Sequence, residues 1–360
     1  MREEQLKRGV FVVALVGLVL VAGCVGPLAG ESPDSSDPGT GISEDDNGDD
    51  EYYGGGSQGG APSVSLSDVP GPDDTVYSSG GNSTPEGSES LNVHFIDVGQ
   101  SDSTLIQGPE SNILIDTGDW QGDEAISYLE SEGIEEIDLM ILTHLDADHI
   151  GQADRIIDEL GVEEVWMSGQ SRSTNTFGRL VDAVLENDVG YYEPRTGDVF
   201  SVGDMRIEVL HPDGVPSDTN DGIATRIVFG ESEVLFTGDA GESAESDMLQ
   251  TEMDVESDIY QVGHHGSSTS SMEEFVKSVN PDIAVYSAGE DNQYGHPDDV
   301  VINRLNDIGA DVYGTPVHGT VVIEATPEED ISVSTERDAS LVDSPPTLLP
   351  GNTLRRIAAP

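Results

Sequence analysis

ILTHLDADHIG, residues 141–151, sets two histidines and two aspartates within six positions: His144, Asp146, Asp148 and His149. Crowding charge at the end of an apolar run does nothing for a core, so these side chains call for another occupant. The run before them, Ile137 to Leu142, has the length of a strand. The stretch after them, Ile150 to Leu160, places Ile150, Ala153, Ile156, Ile157 and Leu160 at helical spacing. The cluster therefore lies on a strand-to-helix loop, where a rigid scaffold commonly presents chemistry. Imidazole suits zinc, iron and manganese, and carboxylates shift the preference toward harder ions. Asp148 and His149 can face one ion while His144 and Asp146 face another, and two ions about 3.5–4 Å apart can share a bridging hydroxide. An acidic surface loop would account for the aspartates, but not for two of the chain's eight histidines.

Working outward, LNVHFIDVGQ, STLIQ and NILIDTGD read as three strands at hairpin-like spacing. Helices and strands then alternate. Helices are expected near 122–131, 150–160 and 174–186, and from Pro297 to Ile308. EEVWMS, MRIEVLHP, ATRIVFG, EVLFTGDA, DIAVYSA and VVIEAT are expected strands. The order predicts an α/β (α+β) domain of two mixed sheets covered by helices on both sides, over residues 91–326, followed by an irregular tail, 327–360. TGDA puts Asp239 directly after an apolar strand, and QVGHHGSSTS puts His264 and His265 after another. Alone, TGD is a turn and HHGS a helix N-cap through Ser267 or Ser268. Together, at strand ends, they complete a two-ion site with a shared carboxylate.

In this order HLDADH, IDVGQSDS, LIDTG, LFTGDA, VGHHGSSTS and YGHP resemble the metallo-β-lactamase superfamily, and within it the extracellular nuclease-type domain of ComEC competence proteins and their secreted relatives. The resemblance covers about Leu91 to Val322. It implies an αββα sandwich with a dinuclear centre at one edge of the sheets, two divalent ions (Zn or Mn), and metal-dependent hydrolysis of phosphodiesters. By position, His144, Asp146, Asp148 and His149 match the signature loop, Asp239 the bridging carboxylate, and His264 the late ligand, with His265 in reserve. Asp148 would also orient the attacking hydroxide. The chain departs from the pattern at Ser101 and Gln152, where relatives usually carry Gly, and at TNDGIATRIVF, which lacks an expected Ser. The histidine that β-lactamases place in that region has no clear equivalent, although His211 lies upstream.

Three aspartates, Asp97, Asp116 and Asp119, fall at strand ends near the expected mouth; Asp97 is the candidate for holding a ligand from outside, or else caps a turn. Tyr294 and His296 precede a helix with Pro297 at its first position, and a helix N-terminus suits phosphate. His296 is thus a candidate for holding a phosphate or protonating a leaving alkoxide. His94, between Val93 and Phe95, reads as structural, and His318 has no assignment.

The chain begins with Arg2, Lys7 and Arg8, then an apolar run from Val10 to Ala22 too short for a membrane span of roughly 20 residues. It ends in VAGC, resembling a lipobox, so residues 1–23 read as a signal peptide and Cys24, the single cysteine, as a lipidated N-terminus. Residues 24–90, rich in Gly, Ser and Asp, read as a disordered acidic tether. Seventy-one acids against fourteen bases give a formal charge of −57, which suits a halophile, because at 1 M salt the Debye length is about 3 Å. The expected function is a two-metal phosphodiesterase or nuclease, lipid-anchored at the extracellular face of the membrane, acting on a phosphodiester such as extracellular DNA. The alternatives are hydrolysis of another ester or amide on the same fold, or a non-catalytic envelope binding module. No protein partner is implied.

Overall fold

The computed structural model describes residues 90–342 other than 218, 219 and 329. The segments read above as a signal peptide, a lipidated Cys24 and a tether (to residue 89), and the tail from 343 onward, lie outside the described residues.

Eight strands form the first sheet: β1 (Leu91–Phe95), β2 (Thr104–Gln107), β3 (Asn112–Ile115), β4 (Ile137–Ile141), β5 (Val162–Trp166), β6 (Gly190–Tyr192), β14 (Val321–Ala325) and β15 (Ile331–Thr335). Their order is β15-β14-β1-β2-β3-β4-β5-β6. The pairs from β15 to β3 are antiparallel, and those from β3 to β6 parallel. The second sheet holds β7 (Val199–Val202), β8 (Met205–His211), β9 (Ala224–Phe229), β10 (Ser232–Phe236), β11 (Ile259–Gln261), β12 (Ile283–Tyr286) and β13 (Asp311–Gly314), in the order β13-β12-β11-β10-β9-β8-β7. It is antiparallel from β7 to β10 and parallel from β10 to β13.

Both faces of each sheet are covered, which explains the near-continuous apolar strands. Leu139 and Ile141 of β4 join Phe95, Trp166 and Phe236 in the core between the sheets, while Met140 points to the other face. There it meets α1 (Glu124–Ser131), α3 (Ala153–Glu159) and α4 (Asn175–Glu186). Leu235, Ala284 and Tyr286 of the second sheet pack outward with residues of α5 (Glu242–Gln250), α6 (Glu273–Val279) and α7 (Asp299–Ile308). Helix, sheet, sheet and helix therefore stack as four layers. A short helix α8 (Thr315–His318) joins β13 to β14.

Three expectations change. The helix expected over 150–160 is two pieces, α2 (Ala147–Ile150) and α3, because the chain at Gly151 lies against the 118–120 loop. A Cβ there would fall 2.1 Å from the Trp120 nitrogen. The tail is not irregular throughout: β15 pairs along β14, and its sequence ISVST alternates half-buried and exposed side chains as an edge strand does. Pro297 stands outside α7, whose N-cap is Asp298; that carboxylate accepts instead from the Ser268 N–H at 2.7 Å, tying the helix start to the histidine loop.

Candidate metal centre

The site gathers at the carboxyl ends of β3 and β4 in one sheet and β10 and β11 in the other, the general place for ligands in α/β sheets. Asp116, just past β3, adopts φ 56° and is fully buried. One of its carboxylate oxygens accepts from the Thr143 N–H at 2.8 Å. The other accepts from the Thr143 hydroxyl at 2.7 Å and from His149 Nδ1 at 2.8 Å. These bonds lock the loop after β4 and fix which nitrogen of His149 donates, leaving Nε2 turned away from Asp116. Burial raises the Asp116 pKa, and the contacts with His149 and Thr143 oppose that rise.

On the facing sheet, β10 leads into Asp239 and β11 into His264 and His265. Both histidines and Gly266 have left-handed backbones, φ 52°, 54° and 85°. For the two non-glycine residues such a conformation costs roughly 1–2 kcal/mol each, a strain typical of functional loops. HHGS is thus a 3-10 turn over His264–Gly266, not the N-cap of α6, which starts at Glu273.

Donor atoms converge on Asp239 from both sides. Its Oδ2 lies 3.8 Å from His144 Nε2, 3.6 Å from His264 Nε2 and 4.0 Å from His265 Nε2, and its Oδ1 lies 3.5 Å from His149 Nε2. Asp148 Oδ2 is 3.3 Å from His265 Nε2 and 3.9 Å from His149 Nε2. Asp146 Oδ2 is 3.7 Å from His144 Nε2, and its other oxygen meets Arg172. The imidazoles share one arrangement. Nδ1 of His144, His149, His264 and His265 lies against Thr143 Oγ1, Asp116, Thr269 Oγ1 and the Ser287 carbonyl respectively, so each can turn Nε2 inward.

This donor set fits a divalent cation. His144 Nε2, His149 Nε2 and Asp239 Oδ1 are buried without a hydrogen-bond partner, although buried polar atoms ordinarily have one. Metal-compatible groups form from His144, His149 and Asp239, and from Asp148, His149 and His265. A third, Asp102, Asp116 and His149, uses the nitrogen already donated to Asp116. The electrostatics agree. Burial disfavours a charged His149, but Asp239, Asp116 and Asp148 outweigh it and hold its pKa well above the usual value. Burial likewise opposes a charge on His265, yet Asp239, Asp102 and Asp148 lift it to about 9. Burial works against ionised Asp148 too, and His149 and His265 still bring it down to about 2. Carboxylates that hold protons on imidazoles will hold a metal ion in their place, with release of those protons.

Not every expected residue arrives. Asp146 and His264 fall in none of the three groups and meet the centre only through His144 and Asp239 respectively. Asp97 stays outside altogether: its carboxylate pairs with Arg337 and its N–H bonds Thr320 Oγ1. The aspartate of the β1–β2 loop that turns inward is Asp102, which accepts from Gln261 Nε2 at 3.0 Å and which burial lifts to about 6. His211 is buried but spends Nδ1 on the Gly222 carbonyl at 2.8 Å, just before β9, and joins no ligand group. Asp119 holds a turn through the Gln121 N–H. His265, the reserve choice, sits deeper than His264 and is the one grouped with Asp148 and His149. Tyr294 and His296 stack at 6.0 Å, interplanar angle 9°, and the His296 ring lies 6.0 Å from that of His264, at the rim of the centre. His94, as read, is structural, its Nδ1 2.8 Å from the Tyr128 hydroxyl. Sequence reasoning gave no role to Asp116, Asp102 or Arg172. LIDTG and DVGQSDS carried the two aspartates in plain view, but nothing marked them as inward-facing.

Known proteins resemble this chain in the same region. The metallo-beta-lactamase superfamily model matches residues 96–290. ComE operon protein 3 of Bacillus subtilis is 30% identical over 250 residues, 64% of this chain and 32% of that protein. Recombination protein 2 of Haemophilus influenzae is 31% identical over 237 residues, 64% of this chain and 28% of its own length. Competence protein ComA of Neisseria gonorrhoeae is 27% identical over 232 residues, 62% and 31% respectively. The chain thus spans about a third of the length of these curated relatives. Two mixed sheets between helix layers, donors at the ends of their strands and a family match across most of both sheets lead to one statement: the chain belongs to the metallo-β-lactamase superfamily, where its relatives are ComEC-like competence proteins.

Proposed function

We propose that the protein is a metal-dependent phosphodiesterase acting on nucleic acid outside the cell, tethered to the outer face of the membrane through a lipid on Cys24. The superfamily fold is that of metal-dependent hydrolases. The observation that carries the reading is Asp239 standing between two donor groups, His144 with Asp146 and Asp148 with His149 and His265. The names of two relatives refer to recombination and competence, and these point to nucleic acid as the polymer. Two divalent cations bound there would supply a nucleophile at neutral pH and neutralise charge on a phosphoryl oxygen.

The chain's own groups do the rest. Asp116 fixes the ring of His149, and Gln261 and Asp102 brace the turn beneath His265. Asp148, held ionised and 34% exposed on its open side, orients a water for attack. Arg172 beside Asp146 is a cation where a substrate phosphate would arrive, and guanidinium matches phosphate geometry. At the rim His296 is placed to protonate a departing alkoxide, with Tyr294 stacked behind it. The membrane assignment rests on the sequence of residues 1–24; among the described residues no helix is long and apolar enough to cross a bilayer.

The test is cleavage of single-stranded DNA, double-stranded DNA and a chromogenic phosphodiester by the full chain with Mn²⁺ or Zn²⁺ in about 2 M KCl. An Asp148→Ala variant runs alongside. Turnover in the wild type that vanishes in the variant supports the reading. If both leave every phosphodiester intact while the wild type opens a carboxylic ester or amide, the substrate class is wrong. If neither hydrolyses anything, a binding role replaces it.

A further inference from the structure

We infer that Tyr294 is a stacking platform for a nucleobase, so that the protein takes single-stranded nucleic acid by its bases and not by its phosphates alone. The inference rests on the nucleic-acid reading above.

Of the Phe, Tyr and Trp side chains among the described residues, only Trp120 and Tyr294 are exposed, and Tyr294 is the more open at 46%. It belongs to the segment between β12 and α7, at the rim of the centre. Its ring stacks on that of His296, 6.0 Å away at 9°. The His296 ring lies 6.0 Å from that of His264, whose Nε2 is 3.6 Å from Asp239 Oδ2. Two ring steps therefore lead from the donors to Tyr294, a separation that nucleotides next to the scissile phosphate can bridge.

A tyrosine on a loose loop would make a weak platform, because ordering it on binding costs entropy. This segment is tied down beforehand. Asn292 bridges it from within: its Nδ2 donates to the carbonyls of Gly289 at 3.0 Å and His296 at 2.7 Å, and its Oδ1 accepts from the His296 N–H at 3.1 Å. The Gly289 N–H donates to Gln100 Oε1 at 2.9 Å, which fastens the segment to the β1–β2 loop. The Asp298 N–H donates to the Gly266 carbonyl at 2.9 Å, which fastens it to the histidine turn. Pro297 sits so close to Gly266 that a Cβ there would lie 2.6 Å from the proline's own.

Charge decides what kind of group Tyr294 receives. GEDNQYGHPDD, residues 289–299, carries Glu290, Asp291, Asp298 and Asp299 and no lysine or arginine. Such a segment repels a phosphate backbone. Every base, by contrast, presents a π face that stacks on an aromatic ring whatever its identity. Molar salt screens ion pairs and leaves contacts between uncharged faces in place. Within a duplex each base is paired and stacked on its neighbours, so a face comes free only where the strand is single or the base is flipped out.

The experiment compares an oligothymidine with a strand of equal length that keeps the sugar-phosphate backbone and lacks the bases. Cleavage with Mn²⁺ is measured for the full chain and for Tyr294→Ala, Tyr294→Leu and Tyr294→Phe. Binding of both strands is followed by fluorescence anisotropy with the same substitutions in an Asp148→Ala background. The wild type should prefer the strand with bases, in kcat/KM and in affinity. Tyr294→Ala and Tyr294→Leu should cut that preference by about 5- to 150-fold, the size of a lost base stack, and through KM. Tyr294→Phe, which keeps the ring, should preserve it. If the wild type treats both strands alike, or if Tyr294→Ala weakens both equally, the platform is wrong, while cleavage of either strand leaves the phosphodiesterase reading standing. If nothing is cut but the binding preference and its dependence on Tyr294 remain, the phosphodiesterase reading fails and the platform stands. No cleavage and no preference would overturn both.

Discussion

One buried carboxylate, Asp116, decides which nitrogen of His149 faces the centre, and it does so while also accepting both Thr143 bonds. Asp116→Asn keeps the shape but loses the charge and one acceptor. Metal affinity should fall about 10–100-fold, read by competition with a chelating dye, while a folded circular dichroism spectrum persists. Unchanged affinity would mean that Asp116 only braces the loop. At this scale the sequence was half legible. His144, Asp146, Asp148, His149 and Asp239 announced themselves because histidine is scarce here and each sits after an apolar run. The supporting carboxylates did not, since 71 acids give no hint of depth. Asp97 and Asp102 occupy one loop five residues apart, and only the fold shows that the first meets Arg337 and the second lies behind His265. The choice between His264 and His265 was equally hidden, because left-handed turns at non-glycine residues leave no pattern in the sequence.

Among the elements, long helices and buried strands were readable from period, as with α4, whose Phe177, Leu180, Val181 and Val184 form one face behind the Thr174 cap. The unreadable ones were short or half-exposed: β6 has three residues, β7 carries an exposed Val199, and β15, ISVST, is an edge strand with no buried residue. Another unforeseen device joins α5 to the loop after the histidines. Glu245, buried on α5, accepts from the backbone N–H groups of Ser271 and Met272, and burial lifts its pKa to about 7 despite those bonds and Arg304. A raised carboxylic pKa means that the folded state holds a proton the unfolded state has lost. The contribution is therefore full below the ordinary value of about 4.5 and disappears as pH rises through about 7. Glu245→Gln stays neutral throughout, so its melting temperature should change less between pH 5 and 8 than that of the wild type. Identical slopes in the two proteins would remove Glu245 as the source.

For the whole molecule, charge is the dominant fact: −57 on a chain with fourteen basic residues, whose described arginines and single described lysine mostly pair with local carboxylates. The exposed ones among these pairs stabilise little, about 0–1 kcal/mol each, and together the pairs leave no basic stripe among the described residues to draw in a polyanion. Like-charge repulsion must therefore oppose both the compact state and the approach of DNA. Salt relieves both, because the Debye length shrinks from about 10 Å at 0.1 M to about 3 Å at 1 M. Most nucleic-acid-binding proteins lose affinity as salt rises, through counterion release at their phosphate contacts. The opposite sign is expected here: both the melting temperature and kcat/KM on single-stranded DNA should climb between about 0.1 and 1 M KCl, then flatten once screening is complete. Measuring the two together separates the causes. A melting temperature that climbs while kcat/KM falls steeply would reveal a cationic path to the centre, with Arg172 the first residue to substitute. If neither quantity moves, the acidic surface does not govern how this molecule holds together or meets its substrate.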